Sequence, residues 1–501
     1  MELLHNLYIG FGVALSPINL WYAFIGCLLG TLIGVLPGIG PLATIAMLLP
    51  VTFTLNPTSA LIMLAGIYYG AQYGGSTTAI LVNIPGETSS AITVLDGYQM
   101  ARQGRAGPAL GIAALGSFIA GSAATLVIAV AAPPLAEIAL KFGPAEYFSL
   151  MVLGLVGAVV LAHGSVLKAI AMIILGLLLG LVGTDVNSGV ARFSFGVPEL
   201  TDGLGFVGIA MGMFGYGEII LNLEKGETTE VFTAKVGKLL PSWDEFAYST
   251  PAIIRGTVLG SVLGILPGGG ALLASFASYA VEKKFTRDRQ KFGEGNIRGV
   301  AGPESANNAG AQTSFIPMLT LGIPSNAIMA MMIGAMMIQG IAPGPQVMTE
   351  KPQLFWGMIV SMWVGNAMLV ILNLPLIGIW IKLLTVPYRI LFPSILLFCT
   401  IGVYSVQNSS FDSIQTALFG LFGYFCVKTE AEPAPMLLGY ILGPLMEENL
   451  RRAMLLSRGD PTVFFIRPIS SVMLVFAILL LIIIILPNVR KTRDQAFVEE
   501  D

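Results

Sequence analysis

The sequence predicts an all-α polytopic membrane protein: about 12 transmembrane helices in two inverted repeats, each containing a broken helix or re-entrant hairpin. Three observations carry this. First, 55% of the 501 residues are hydrophobic and only 11% are charged, where a soluble domain carries about 25% charge. A water-facing surface of this size needs more charge than 26 Lys+Arg and 29 Asp+Glu supply. A soluble enzyme and a disordered chain are excluded, and a net charge of −3 gives no bias toward nucleic acid. Second, Asp, Glu, Lys and Arg are missing from Leu3 to Gly86, Ser305 to Thr349, Pro352 to Ile381 and Pro468 to Asn488. Third, a block rich in Gly and Pro occurs twice, 230 residues apart.

The elements follow in chain order. Met1 to Pro17 has no Lys or Arg and no evident cleavage site, so it reads as no removable signal peptide. Spans or half-spans fall near 18–36, 41–55, 58–84, 109–132, 146–162, 166–183 and 204–222. The polar stretch Glu224 to Glu245 then reads as a cytoplasmic linker between membrane halves 1–223 and 246–501. Further spans fall near 252–266, 269–282, 304–323, 326–341, 354–381, 390–407, 411–428, 433–446 and 468–487. A full crossing needs about 20 apolar residues, so the shorter segments and those rich in Gly and Pro read as re-entrant pieces. Cys27, Cys399 and Cys426 lie in apolar tracts without metal or disulfide spacing, and read as small buried hydrophobes.

The repeat defines the halves. Gly26, Gly30 and Gly34 precede Leu36-Pro37-Gly38-x-Gly40-x-Leu42; Gly256, Gly260 and Gly264 precede Leu266-Pro267-Gly268-x-Gly270-x-Leu272. Over 17 positions, 9 are identical. Gly70-Ala71-Gln72 before Asn83-Ile84-Pro85 is likewise matched by Gly310-Ala311-Gln312 before Gly322-Ile323-Pro324. Between these blocks the first loop, Thr52 to Ser59, has no Lys or Arg, while the second holds Lys283, Lys284, Arg287, Arg289, Lys291 and Arg298. After them the bias reverses: Arg102 and Arg105 follow the first, and Met336 to Gln346 has none. Cytoplasmic loops are rich in Lys and Arg, so equivalent loops lie on opposite sides and the repeats are inverted.

Inverted repeats with broken helices belong to secondary transporters. A half-helix N-terminus presents free N–H groups to an anion, and freed carbonyls can ligate a cation. The clearest breaks are Asn83-Ile84-Pro85-Gly86-Glu87-Thr88-Ser89-Ser90 and Gly322-Ile323-Pro324-Ser325-Asn326, with Thr88, Ser89, Ser325 and Asn326 placed as N-caps. The candidate substrate residues are Ser76, Thr77, Asn83, Pro85, Gly86, Thr88, Ser89, Asn308, Ser314, Pro324, Ser325 and Asn326. The candidate cation residues are Thr78, Asn83, Asn307, Thr313 and Asn326, which offer hard oxygen atoms. The same residue types also act as glue between spans. Of the ionisable residues in apolar surroundings, Glu87 and Glu304 lie closest to this polar set, with Asp96, His163, Lys168 and Asp185 further from it. No catalytic motif, transition-metal site or cofactor site is evident, and no Walker motif for ATP hydrolysis; the chain reads as no enzyme. The two matches to G-x-G-x-x-G and its variant, at Gly203 and Gly38, follow no plausible strand.

The tracts Tyr68-Tyr69-Gly70-Ala71-Gln72-Tyr73-Gly74-Gly75-Ser76, Asn83-Ile84-Pro85-Gly86-Glu87, Pro303-Glu304-Ser305-Ala306-Asn307-Asn308-Ala309 and Pro343-Gly344-Pro345 resemble the large membrane subunit of tripartite tricarboxylate transporters, the TctA family. The resemblance covers nearly the whole chain. It departs at Pro324-Ser325, where many members have Pro-Gly. It implies a bacterial inner-membrane importer working with a small membrane subunit and a periplasmic solute-binding protein that delivers citrate-like carboxylates. It also implies coupling to a cation gradient, usually Na⁺, and by analogy an elevator-like motion. A stand-alone ion-coupled carrier of organic anions is the alternative.

Overall fold

The computed structural model describes residues 2–36, 40–162, 165–185, 188–225, 238–266, 270–286, 291–384 and 388–485. Pro37-Gly38, Pro267-Gly268, His163, Arg287, Arg289 and most of the polar linker lie outside the described residues.

The chain is almost wholly helical. It begins with α1 (Glu2–Ala14), α2 (Pro17–Gly34), α3 (Pro41–Thr52) and α4 (Pro57–Val82). A 3-10 turn, Thr88–Ser90, leads into α5 (Ala91–Met100), followed by α6 (Ala106–Ala139), α7 (Pro144–Leu161) and α8 (Val166–Gly180). A small antiparallel hairpin, β1 (Gly183–Thr184) and β2 (Ala191–Arg192), pairs Gly183 with Arg192. Then come α9 (Phe206–Ala210), a π-helical segment (Met211–Tyr216) and α10 (Gly217–Lys225). The second half holds α11 (Trp243–Ile265), α12 (Gly270–Phe285), α13 (Arg298–Thr313), α14 (Phe315–Leu321), α15 (Ala327–Ile338) and α16 (Gln346–Glu350). It continues with α17 (Pro352–Asn373), α18 (Ile377–Leu384), α19 (Tyr388–Gln407) and α20 (Ser410–Lys428), and ends with α21 (Ala434–Leu456), α22 (Val463–Ile466) and α23 (Pro468–Ile485).

Four stretches among the described residues are long and apolar enough to cross a membrane: Pro17–Gly34, Thr88–Ala139, Phe206–Glu224 and Pro352–Asn373. Shorter apolar helices include Pro41–Thr52, Val166–Gly180 and Ala327–Ile338. Twelve crossings are therefore an expectation and not an observed count. The segment expected at 354–381 is two helices, because Pro375 cannot donate to the ladder between α17 and α18. α21 runs on to Leu456, past the expected end at 446, where Glu447 and Arg451 pair one turn apart at 2.6 Å. α1, too short to register as a span, packs its Gly10 against the α17 backbone at Trp356.

The apolar pattern is two-sided. Every residue of α4 from Ser59 to Val82 is buried, and so is every residue of α13 from Gly299 to Thr313. α13 is buried although its sequence is polar, with Glu304, Asn307, Asn308, Gln312 and Thr313 inside. The surrounding helices expose large apolar side chains instead, such as Leu126 and Val130 on α6, Ile254 and Val258 on α11, and Val472 and Ile482 on α23. Lipid-facing surface outside and a polar centre within is what an apolar solvent selects.

Two glycine seams hold the centre together. A Cβ at Gly26, Gly30 or Gly34 of α2 would stand 2.3, 2.3 and 2.4 Å from the α4 carbonyl oxygens of Met63, Ile67 and Ala71. At Gly256, Gly260 and Gly264 of α11 it would stand 2.3, 2.2 and 2.3 Å from those of Gly302, Ala306 and Gly310 on α13. Each pair thus meets backbone to backbone, the packing that small residues at every fourth position allow. The three cysteines are free and buried.

Candidate functional site

The two breaks have one architecture. α4 ends at Asn83 in the left-handed conformation (φ 64°), and α14 ends at Gly322 (φ 72°) in the same region. Asn and Gly are the residues that tolerate this conformation at a helix C-terminus. Ile-Pro follows in both cases. The next arm begins at an extended N-cap: Glu87 (φ −145°) in the first break, Asn326 (φ −156°) in the second. Asn326 accepts from Met329 N at 2.9 Å. In the first break the caps expected at Thr88 and Ser89 are replaced by Glu87, whose backbone N–H is satisfied by Ser90 Oγ at 3.4 Å. Ser325 likewise is no cap; its hydroxyl donates to the Ser314 carbonyl at 3.1 Å. The Pro-Gly and Pro-Ser positions serve the turn itself. Gly86 presses on α4, where an added Cβ would lie 2.4 Å from the Cα of Gly75.

The breaks differ in exposure. Asn83, Pro85 and Thr88 are exposed, whereas Gly86, Glu87 and Ser89 are buried. In the second break Pro324 and Ser325 are buried and Asn326 is half-buried. Ser89 donates to the Glu87 carboxylate, and its carbonyl accepts from Ser275 of α12 at 2.7 Å. An element of the second half therefore seats the break of the first.

Beside the first break lies Glu304, on the buried α13. Ser76 Oγ is 2.6 Å from Glu304 Oε2, and Thr93 Oγ1 of α5 is 2.5 Å from Oε1. Asn308 Nδ2 donates to Ser117 Oγ at 2.7 Å and to Asn307 Oδ1 at 2.6 Å. Ser117 in turn donates to the Glu304 carbonyl at 3.2 Å. One helical turn on, Thr125 donates to Gln312 Oε1 at 2.6 Å. On α6, Ser117 thus faces Glu304 and Asn308, while Gly121 and Thr125 face Gln312, positions that recur at four-residue spacing on one face of each helix. Neither Glu87 nor Glu304 has an ion pair among the described residues. A cavity of about 20 Å³ touches Glu304 and is lined on its polar side by Tyr73, Ser76, Thr77, Ser117 and Asn373.

Four of the expected residues, Ser76, Thr77, Asn307 and Asn308, come together with Glu304. Ser314 meets Ser325. Thr78 and Thr313 do not join them: Thr78 donates to Val35 O at 2.8 Å and Thr313 to Ala309 O at 3.0 Å. Thr93, Ser117, Thr125 and Asn373 were not anticipated, nor was the buried Asn366 of α17, whose side-chain amide lies against Gly121 of α6. The spacing 117, 121, 125 was a readable signal; Asn366 and Asn373 stand singly in an apolar helix and gave none.

The model of the tripartite tricarboxylate transporter TctA family matches residues 20–438. The chain belongs to this family. As a TctA-family protein it belongs with the large subunits of tripartite carboxylate transporters and is a membrane protein. It is 59% identical, over the full length of both chains, to an uncharacterized 52.8 kDa protein in the TAR-I ttuC' 3' region of Agrobacterium vitis. A second protein of that organism, from the TAR-II ttuC' 3' region, is 58% identical across its whole length and 48% of this chain. No solved structure matches this TctA-family chain.

Proposed function

We propose that the chain is the permease subunit of a binding-protein-dependent secondary transporter in the bacterial inner membrane. It imports tricarboxylate or related carboxylate anions, and a cation gradient, with Na⁺ as the coupling ion, drives the uptake. Its partners are the small membrane subunit and the periplasmic solute-binding protein, and its two halves act as inverted repeats in an elevator-type cycle. The observation that carries this reading is the pair of matched breaks, each a left-handed cap, Ile-Pro and an extended N-cap. A helix N-terminus carries about half a positive charge and free N–H groups, which suit a carboxylate without a buried Lys or Arg.

The test is uptake of radiolabelled citrate and tartrate in cells expressing all three components. Asn326→Ala removes the cap oxygen, and Asn83→Gly removes a side chain while keeping the left-handed turn. Both variants are expected to reach the membrane at normal levels and to lose uptake. Normal uptake by both sinks the assignment to the breaks. Undiminished uptake without the binding protein favours the stand-alone carrier.

A further inference from the structure

We propose that an open groove between the segment 238–241 and the end of α17 holds an acyl chain of an anionic phospholipid, with Lys238 pairing the headgroup. The groove has a volume of about 600 Å³ and is lined by Leu240, Val370, Ile371, Leu374 and Pro375, with Lys238 as the charged member of the lining. Both walls are fixed by the fold. A Cβ at Gly107 or Gly111 of α6 would stand 2.1 and 2.2 Å from the carbonyl oxygens of Lys238 and Leu239, so the segment lies backbone to backbone on α6. Opposite it, Pro375 ends the α17 ladder, and Trp380 Nε1 donates to Leu372 O at 2.9 Å, which ties α18 to the last turn of α17. Leu240 and Ile371 are 62% and 66% exposed. Apolar walls that remain exposed in a membrane protein take hydrocarbon. The groove also lies at headgroup level. Five residues after Lys238, Trp243 is 85% exposed, and two residues before Gly107, Arg105 pairs with Glu245 at 2.8 Å. Exposed Trp and basic residues gather at that level, and the Lys and Arg bias makes this side the cytoplasmic one. Basic pockets between helices there recognise anionic headgroups. Lys238 is exposed and forms no ion pair among the described residues, so its charge is available to a phosphate. The groove offers seven residues, where a stable protein partner takes about 20–30 a side. Leu374 lines both this groove and the cavity beside Glu304, so a lodged chain supports the wall of the polar centre. The inference concerns the outer surface and does not rest on the proposed substrate.

The experiment titrates the full chain in detergent with phosphatidylglycerol or with phosphatidylcholine of the same acyl chains. Retained lipid is read by native mass spectrometry, and stability by the thermal midpoint. Wild type is expected to retain phosphatidylglycerol in preference to phosphatidylcholine and to melt higher with it. Lys238→Ala should weaken phosphatidylglycerol about fivefold, the scale of one basic residue near an anionic surface. Ile371→Trp fills the groove and should abolish both the retention and the rise in midpoint. Lys284→Ala, which removes an exposed charge from α12 instead, should behave as wild type. Melting in detergent alone checks folding; if Ile371→Trp is not folded, Leu240→Trp on the facing wall replaces it. Equal retention of the two lipids by wild type overturns the site, as does an equal loss in Lys238→Ala and Lys284→Ala, or full retention in the filled groove. Stabilisation by glycerol 3-phosphate equal to that by the lipid overturns the acyl chain and leaves only a phosphate contact. A wild-type dimer that Ile371→Trp converts to monomer overturns the lipid in favour of a second copy. No substrate, cation or partner subunit enters the measurement, so its outcome is separate from that of the uptake assay.

Discussion

Asp96 shows how much one buried side chain can organise. Its Oδ1 accepts from the backbone N–H groups of Gly293, Gly295 and Asn296 at 2.9, 2.8 and 2.7 Å, and its Oδ2 from Tyr279 Oη at 2.9 Å. The carboxylate thereby pins the loop before α13 onto α5, across 183 residues or more of sequence. Gly299 is small for the same reason, since a Cβ there would lie 2.1 Å from Asp96 Oδ2. Asp96→Ala would leave three buried donors without this partner, the Gly295 and Asn296 N–H groups and the Tyr279 hydroxyl, each worth about 1–3 kcal/mol, while Gly293 is exposed to solvent. A fall in thermal midpoint well beyond that of an exposed control such as Asp202→Ala is expected; equal midpoints would refute the latch. Asp96 was singled out from sequence as a costly ion in an apolar tract, but its partners were not visible there. Three of the four are backbone groups of a Gly-rich loop, and such donors leave no mark in a sequence.

At the scale of elements, the glycine seams decide which helices pair. Gly30→Ala and Gly260→Ala each force a methyl group into a carbonyl 2.3 or 2.2 Å away, so the helix pair must spread. Overpacking of this kind costs about 1–3 kcal/mol. Gly12→Ala on α1 meets nothing within 4 Å and serves as the control; it should be neutral or stabilising by helix propensity. Detergent-solubilised yield and thermal midpoint check this, and an unaffected Gly30→Ala variant would show that α2 and α4 are not held at this distance. The seams were legible as repeated Gly-xxx-Gly, because helical periodicity puts those positions on one face. Which helix each seam meets was not legible, since α2 skips α3 to reach α4 and α11 skips α12 to reach α13.

Across the whole molecule, side chains far apart in sequence form one polar centre. Ser76 and Thr93 reach Glu304, Ser117 reaches its carbonyl, and Thr125 reaches Gln312, all across 187 residues or more. Thr125→Val should destabilise by about 1–3 kcal/mol, because it strands the buried Gln312 Oε1, and Gln312→Leu by less, because the Thr125 hydroxyl keeps the Gly121 carbonyl as acceptor at 2.9 Å. Together they should cost clearly less than the sum, as groups that share one bond are not additive. Strictly additive effects in a thermal double-mutant cycle would mean that this contact does not join the halves. An elevator cycle that separates elements here would have to break such bonds or carry them along intact.

The sequence by itself determined the class of the protein, the position of most helices and the two breaks. Low charge, charge-free tracts and Pro or Gly punctuation act locally, through solvent transfer and backbone geometry, and so can be read locally. Its family followed from motifs of the same local kind. Only the tertiary structure decided that Glu304, rather than Thr78 or Thr313, sits beside a cavity, and that Asn373 completes the lining. The reason is physical. A polar side chain in an apolar helix must find a partner, and whether it finds one on its own helix or across the core depends on packing between distant segments.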